Sequence, residues 1–310
     1  MAGEGTQRPI SVLLLGLEAL TENRQLAGRG GSTALDQRGL QEALNTLQQG
    51  MPFYPETIVG FVNEIEQEFL TVSANATMEE LSRALTEEVA IFCTQNIAPN
   101  FPFASRGSRH VATAAFGEFF GYGGRMESFY NDRLREHTQR SATGEIEARE
   151  GSALGARLSS STLSQFVRAE RIRQAFFEPD SAKPTVSFSI TQVAASEGVE
   201  GSTVSLGERS IQLLPNSSGQ QVVWPDQTAD ISVTLLPQRN GVENTLRFGG
   251  GRWAVVDFIR KGRARISGTR ADVTHQVGGR AVTLRMEFDS IAIPFLMREV
   301  SEFNCPTSLE

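Results

Sequence analysis

The sequence has little lysine and histidine, and each shortage excludes a class of function. Lys183 and Lys261 are the lysines among 29 basic residues, and 36 acidic residues outnumber these to give a net charge of −7. Without a basic excess the chain lacks the electrostatic field that holds a nucleic acid, so no nucleic acid partner is expected. The histidines, His110, His137 and His275, lie far apart in the sequence, and no metal site is expected from their spacing.

Cysteine is also scarce, since the chain has only Cys93 and Cys305. Two distant cysteines make neither a disulfide framework nor a clustered metal site. In an oxidising compartment they could pair and tie the first half of the chain to its C-terminus. Alternatively, each is a buried free thiol that packs as a small hydrophobe. Both interpretations remain open from the residues alone.

Long hydrophobic runs are absent. The most apolar stretch is Ile10–Leu20, which has eleven residues and includes Gly16 and Glu18. This stretch is too short to span a bilayer, and it lacks the small-residue cleavage pattern of a signal peptide. It predicts a buried helix instead.

The first half of the chain shows the spacing of amphipathic helices. Apolar residues recur every three or four positions, so their faces are expected to be buried. Asn75 or Thr77 is predicted to begin a new helix, with Glu80 at capping-box distance from Thr77. The stripes are Ile58, Phe61, Ile65, Phe69 and Val72, and then Leu81, Leu85, Val89 and Phe92.

The pattern changes to alternation after Pro184, which is typical of strands. Val186–Thr191, Ile231–Leu235 and Val282–Phe288 alternate apolar with polar residues, and Gly278–Gly279 predicts a tight hairpin turn. The sequence therefore predicts an α+β protein. Residues 1–180 form a helical domain with a surface loop at about 138–161, and residues 181–310 form a β-sandwich-like domain. The apolar run Ala254–Ile259 fits a strand or a helix, and we favour a helix.

No motif predicts catalysis or cofactor binding. The loops Gly28–Gly31 and Gly249–Gly251 lack the lysine and hydroxyl residue that hold phosphates. Cys93 and His110 could form a nucleophile–base pair, but Cys93 follows Phe92 on a predicted buried stripe, which opposes thiolate formation. We therefore expect no catalytic, cofactor-binding or metal-binding residues.

The tryptophans, Trp224 and Trp253, allow two interpretations. Exposed on a sandwich, they could line a groove for a sugar or a protein. Buried, they fill the core, and this is the commoner case.

Several strings, taken in order, resemble the C-terminal periplasmic region of the TssM/IcmF family, the inner-membrane core component of type VI secretion machines. They are FGEFFGYGG at Phe116–Gly124 and AERIRQAFF at Ala169–Phe177, with PNFPF at Pro99–Phe103, RWAVVDFI at Arg252–Ile259 and FNCP at Phe303–Pro306.

The resemblance implies a periplasmic structural scaffold rather than an enzyme. It implies that the β-domain binds the outer-membrane lipoprotein TssJ, and that further copies of the chain assemble with it. It also implies that a membrane anchor precedes this chain and that the inner-membrane partner TssL is reached through that part. The partner-binding residues are expected on the surface of the β-domain. A periplasmic glycan-binding module, for instance for peptidoglycan, is the alternative.

Overall fold

A computed structural model describes residues 13–18, 42–43, 45–104, 109–152, 154–215 and 217–310. The chain divides into two compact units, Met1–Glu80 and Leu81–Glu310. Within the described residues, none of the helices is both long and apolar enough to cross a bilayer. The predicted domain boundary near residue 180 remains a prediction.

The first unit is helical where it is described. Residues 13–18 form a helix within the predicted apolar segment, whose remaining residues lie outside the described part. Leu14 and Leu15 are about half exposed, so the prediction of a buried helix is wrong for these side chains. On the helix at Glu56–Leu85, Phe61 is about half exposed although it was predicted to be buried, and its neighbour Val62 is buried instead.

A single helix, α1 (Glu56–Leu85), runs through the point where a new helix was predicted to begin. The capping-box prediction at Thr77 is therefore wrong. Ser73–Thr77 contains neither glycine nor proline, so nothing forces the backbone out of the helix. The helix continues through a π-helical turn, Thr86–Ala90, into α2 (Ile91–Asn96). Leu81, Leu85 and Val89 are buried, as their spacing predicts.

The second unit also contains four helices that follow α2. All are short except the third, and glycines or prolines flank several of them. They are α3 (Thr113–Phe120), α4 (Arg125–Phe129), α5 (Ser160–Phe176) and α6 (Ala254–Lys261), and a last turn, α7 (Arg298–Glu302), follows near the C-terminus. The favoured helix at 254–259 is confirmed.

The segment predicted as a loop at 138–161 contains a small hairpin. Strands β1 (Thr138–Arg140) and β2 (Ile146–Ala148) pair antiparallel. Ser141 accepts a hydrogen bond from the backbone N–H of Glu145 and so closes the turn. Ile146 and Leu154 are buried, and these isolated apolar residues hold a segment whose sequence shows little periodicity.

The strands after residue 185 form two antiparallel sheets. Their strands are β3 (Val186–Ala195), β4 (Gly201–Leu206), β5 (Arg209–Leu213), β6 (Gln220–Trp224), β7 (Ile231–Leu236), β8 (Thr245–Phe248), β9 (Arg263–Ser267), β10 (Arg270–Val277) and β11 (Arg280–Phe288). One sheet has the order β6-β3-β11-β10-β9 and the other β5-β4-β7-β8.

Residues of β3, β7, β10 and β11 alternate between buried positions, which are mainly apolar, and more exposed positions, so each sheet buries one face. The β10–β11 hairpin turns at Gly278 and Gly279, which both have positive φ. The side chain of Ser202 on β4 donates a hydrogen bond to Gln192 on β3, which links the two sheets. Helix α6 contacts strands of both sheets. The predicted α+β class, with helices first and a sandwich-like strand region after them, is confirmed.

Candidate functional site

The string FGEFFGYGG forms a tight junction between α3 and a later segment. A Cβ atom on Gly117 would lie 2.4 Å from the carbonyl oxygen of Ala182, and one on Gly121 would lie 2.9 Å from the Ala182 Cα. The backbone N–H of Tyr122 donates to the carbonyl of Ser181 across this contact. Glycine is therefore required here because two backbones touch. The string has a packing role.

The phenylalanines of this string form the centre of an aromatic cluster. Phe116, Phe119 and Phe120 are fully buried. The ring of Phe116 lies 5.2 Å from that of Phe176 and 5.3 Å from that of Trp253, measured between centroids. These contacts join α3, α5 and the strand region into one core. The aromatic cluster consists of Phe103, Phe116, Phe119, Phe120, Phe176, Phe177, Trp224, Trp253, Phe295 and Phe303.

Both tryptophans belong to this core. Trp224 and Trp253 are 0% and 1% exposed. The indole N–H of Trp253 donates to the carbonyl of Val111 at 2.7 Å, and that of Trp224 donates to the carbonyl of Arg252. Their polar atoms are therefore satisfied inside the protein. The groove-lining interpretation of these two side chains is wrong, and the core interpretation is confirmed.

The structure joins Cys93 on α2 to Cys305 in a disulfide, with their Cα atoms 5.7 Å apart. Cys93 is fully buried, and its sulfur is bonded, so it is not free to act with His110 as a nucleophile. The residues around Cys305 are also held in place: Phe303 packs on Phe120, and the carbonyl of Leu309 accepts a hydrogen bond from Ser159. The last residues of the chain thus pack against the helices of the second unit and are covalently joined to one of them.

The three histidines lie in different places. His110 is exposed beside Phe101, and His137 lies at the start of the β1–β2 hairpin. His275 is buried on β10 between the rings of Phe248 and Phe258. Across the described ranges, no group of three or more histidine, cysteine or acidic side chains is placed to hold a metal ion.

His275 makes the protein sensitive to acid. Neither ring nitrogen has a hydrogen-bond partner among the described residues, and burial lowers the pKa of the imidazole to about 4. In the unfolded chain the pKa of a histidine is about 6.5. Between the folded and unfolded pKa values, His275 is therefore protonated in the unfolded chain and neutral in the folded one. Stability is therefore full above pH 6.5 and is lost as the pH falls towards 4.

We expect His275 to cost about 2 kcal/mol of stability between pH 7.5 and pH 5. His275→Leu removes the titrating group at a similar volume and should flatten this part of the pH dependence. Denaturant unfolding of both proteins at the two pH values measures the effect. Parallel losses of stability in wild type and variant would contradict it.

The strand edges supply the exposed features of the strand region. Strand β9 ends its sheet, and each of its five residues is exposed. Beside it, Arg285 forms a bidentate ion pair with Asp272, at 2.8 and 3.0 Å. These hydrogen bonds hold the pKa of the Asp272 carboxyl below its usual value, and the nearby Arg270 and Arg265 lower it further. Arginine alternates with Ala264 and Ile266 along β9, and this signal was missed because the run is short and none of its residues is buried.

An apolar groove adjoins the same strand edge. Its volume is about 470 Å³, and α5, the β9–β10 turn and the segment before α7 line it. Ile291 is 75% exposed and Ile266 on β9 is 50% exposed. A groove of this kind suits a partner's apolar side chains.

A comparison with curated proteins supports the resemblance to TssM. The chain is 24% identical over 317 residues to type VI secretion system component TssM1 of Pseudomonas aeruginosa strain PAO1. The match covers 99% of this chain and 29% of the relative, so the chain spans less than a third of that protein's length. No family model matches the chain.

Solved structures share the fold. The TssM C-terminal domain from EAEC has a TM-score of 0.59 at 14% identity, covering 76% of this chain and 99% of that domain. A chain from a type VI secretion system membrane core complex has a TM-score of 0.65 at 15% identity, covering 98% of this chain and 61% of that one. A chain from a type VI membrane complex has a TM-score of 0.63 at 14% identity, covering all of this chain and 59% of that one. The predicted resemblance to the C-terminal region of TssM is confirmed.

Proposed function

We propose that the chain is a periplasmic structural component of a type VI secretion membrane complex. The observation that carries this proposal is the match to TssM1 along 99% of the chain, with the same fold recurring in membrane complex structures. The interior supports it too. The most distinctive sequence strings build an aromatic core and backbone contacts, as a mechanical scaffold requires.

The scaffold acts by binding rather than by catalysis. Its strand region binds the outer-membrane lipoprotein TssJ, and the chain assembles with further copies of itself. TssL is contacted through a part of the protein that precedes this chain. Exposed strand edges and the apolar groove offer surfaces for such partners, since unpaired strand backbones and exposed apolar patches mark interaction sites. In the oxidising periplasm the Cys93–Cys305 bond is stable.

The alternative, a glycan-binding module, has lost its main support. It depended on exposed tryptophans, and both side chains lie in the core.

The purified chain is expected to retain the cognate TssJ lipoprotein on an affinity resin, with binding in the micromolar range or tighter for a stable complex interface. Size-exclusion chromatography of the eluate measures the complex. The heat-unfolded chain on the same resin is the matched control. A chain that shows a folded circular-dichroism spectrum but leaves the lipoprotein in the flow-through would contradict the proposal.

A further inference from the structure

The β9 edge presents an unpaired backbone. Strand β9 (Arg263–Ser267) pairs with β10 on one side and is the last strand of its sheet on the other. Alternate N–H and C=O groups of an edge strand point away from the sheet and can pair with another extended chain. Every residue of β9 is exposed, so the strand can be reached along its full length.

The two faces of β9 differ in chemistry. Successive side chains alternate, so Arg263 and Arg265 share one face while Ala264 and Ile266 share the other. The arginines join a polar surface that includes Asp272, Thr274 and Arg285. Ile266 instead lines the apolar groove with Ile291.

The arginine face carries an excess of positive charge. Arg265 lies opposite Asp272 in the register, but Arg285 already binds both oxygens of that carboxylate. Among the described residues, neither Arg263 nor Arg265 has a carboxylate within ion-pair distance, and the charge of Arg265 acts on Asp272 only from farther away. Two guanidinium groups on an exposed edge therefore remain available to carboxylates from outside the chain.

We propose that β9 receives an extended segment of a partner protein in which acidic and apolar residues alternate. The segment adds a strand beside β9, its carboxylates meet Arg263 and Arg265, and its apolar side chains enter the groove at Ile266 and Ile291. The positive charge repels basic edge strands and so selects against other pairings. The inference deepens the proposed function and rests on it, because it places one partner contact of the strand region.

A blocked synthetic peptide of five Glu-Val repeats is the probe, and a peptide of five Lys-Val repeats is its control. We expect the acidic peptide to bind the purified chain, and the basic peptide to bind at least about tenfold more weakly, because like charges would then face each other. Binding should weaken as salt rises. Hydrogen exchange should show new protection confined to the amides of Arg263–Ser267.

Variants separate this site from general charge effects. Arg263→Glu with Arg265→Glu is expected to reduce binding of the acidic peptide about tenfold or more. Ile266→Asp places a charge in the apolar groove and should also reduce binding of the acidic peptide. Arg247→Glu, on the exposed edge strand β8 of the other sheet, is the matched control and should leave binding unchanged. Circular dichroism establishes that each variant is folded.

Two results would overturn the inference: equal binding of the acidic and basic peptides, or binding that survives the double arginine reversal. The lipoprotein experiment is run with the same variants. Failure of the wild-type chain to bind the lipoprotein would count against the proposed function. Intact lipoprotein binding without peptide binding would count against the β9 site alone.

Discussion

Removal of the disulfide, by Cys93→Ala with Cys305→Ala, is expected to lower the free energy of unfolding by about 2–5 kcal/mol. The bond closes a loop between residues separated by 212 positions, and the loss of chain entropy in the unfolded state grows with loop length. An effect at the upper end of this range is therefore expected. Denaturant titration monitored by tryptophan fluorescence measures it.

A redox control accompanies the double variant. A reductant should lower the free energy of unfolding of wild type by about the same amount as the double substitution does. It should not change the free energy of unfolding of the double variant. Identical denaturant midpoints for oxidised and reduced wild type would show that the cross-link contributes nothing.

Phe116→Ala is expected to destabilise the second unit by about 3–5 kcal/mol. The ring is fully buried and stacks or meets edge-on with Phe177, Trp224 and Trp253. Its removal leaves a cavity where helices and strands meet, and the aromatic contacts are lost as well. Because both tryptophans lie against this ring, their fluorescence should also change in the folded state.

Two further variants make this result interpretable. Phe116→Leu keeps most of the volume and should cost less than Phe116→Ala, which preserves a measurable transition if the alanine variant fails to fold. Leu214→Ala, at a side chain that is 49% exposed, should change stability by no more than about 0.5 kcal/mol. Equal stability of Phe116→Ala and wild type would contradict a central role for the cluster.

The strand region could be predicted wherever one face of a strand is buried. Burial of one face imposes a period of two, and this alternation predicted β3, β7 and β11. The glycine pair predicted the turn between β10 and β11. Strand β9 was not predicted. RARIS does alternate arginine with Ala264 and Ile266, but the run has only five residues and none of them is buried.

In the helical half, one buried face was predicted correctly, whereas a helix boundary and the burial of Leu14 and Leu15 were not. Leu81, Leu85 and Val89 revealed a core face, yet polar residues around Thr77 suggested a helix start where the helix simply continues. Asn and Thr lower helix propensity less than glycine or proline does, so a helix can continue through them when no such breaker accompanies them. The aromatic cluster could not be derived from spacing, because its members come from segments far apart in the sequence.

The position of the disulfide has a mechanical consequence. If the chain is pulled from its N-terminal side and from its C-terminal end, tension passes from Cys93 to Cys305 through the covalent bond. The segment between them, 212 positions long, is bypassed. Stretched out, it would add about 700 Å of contour length. Both sheets and most helices of the second unit would therefore be shielded from load applied between the two ends of the chain.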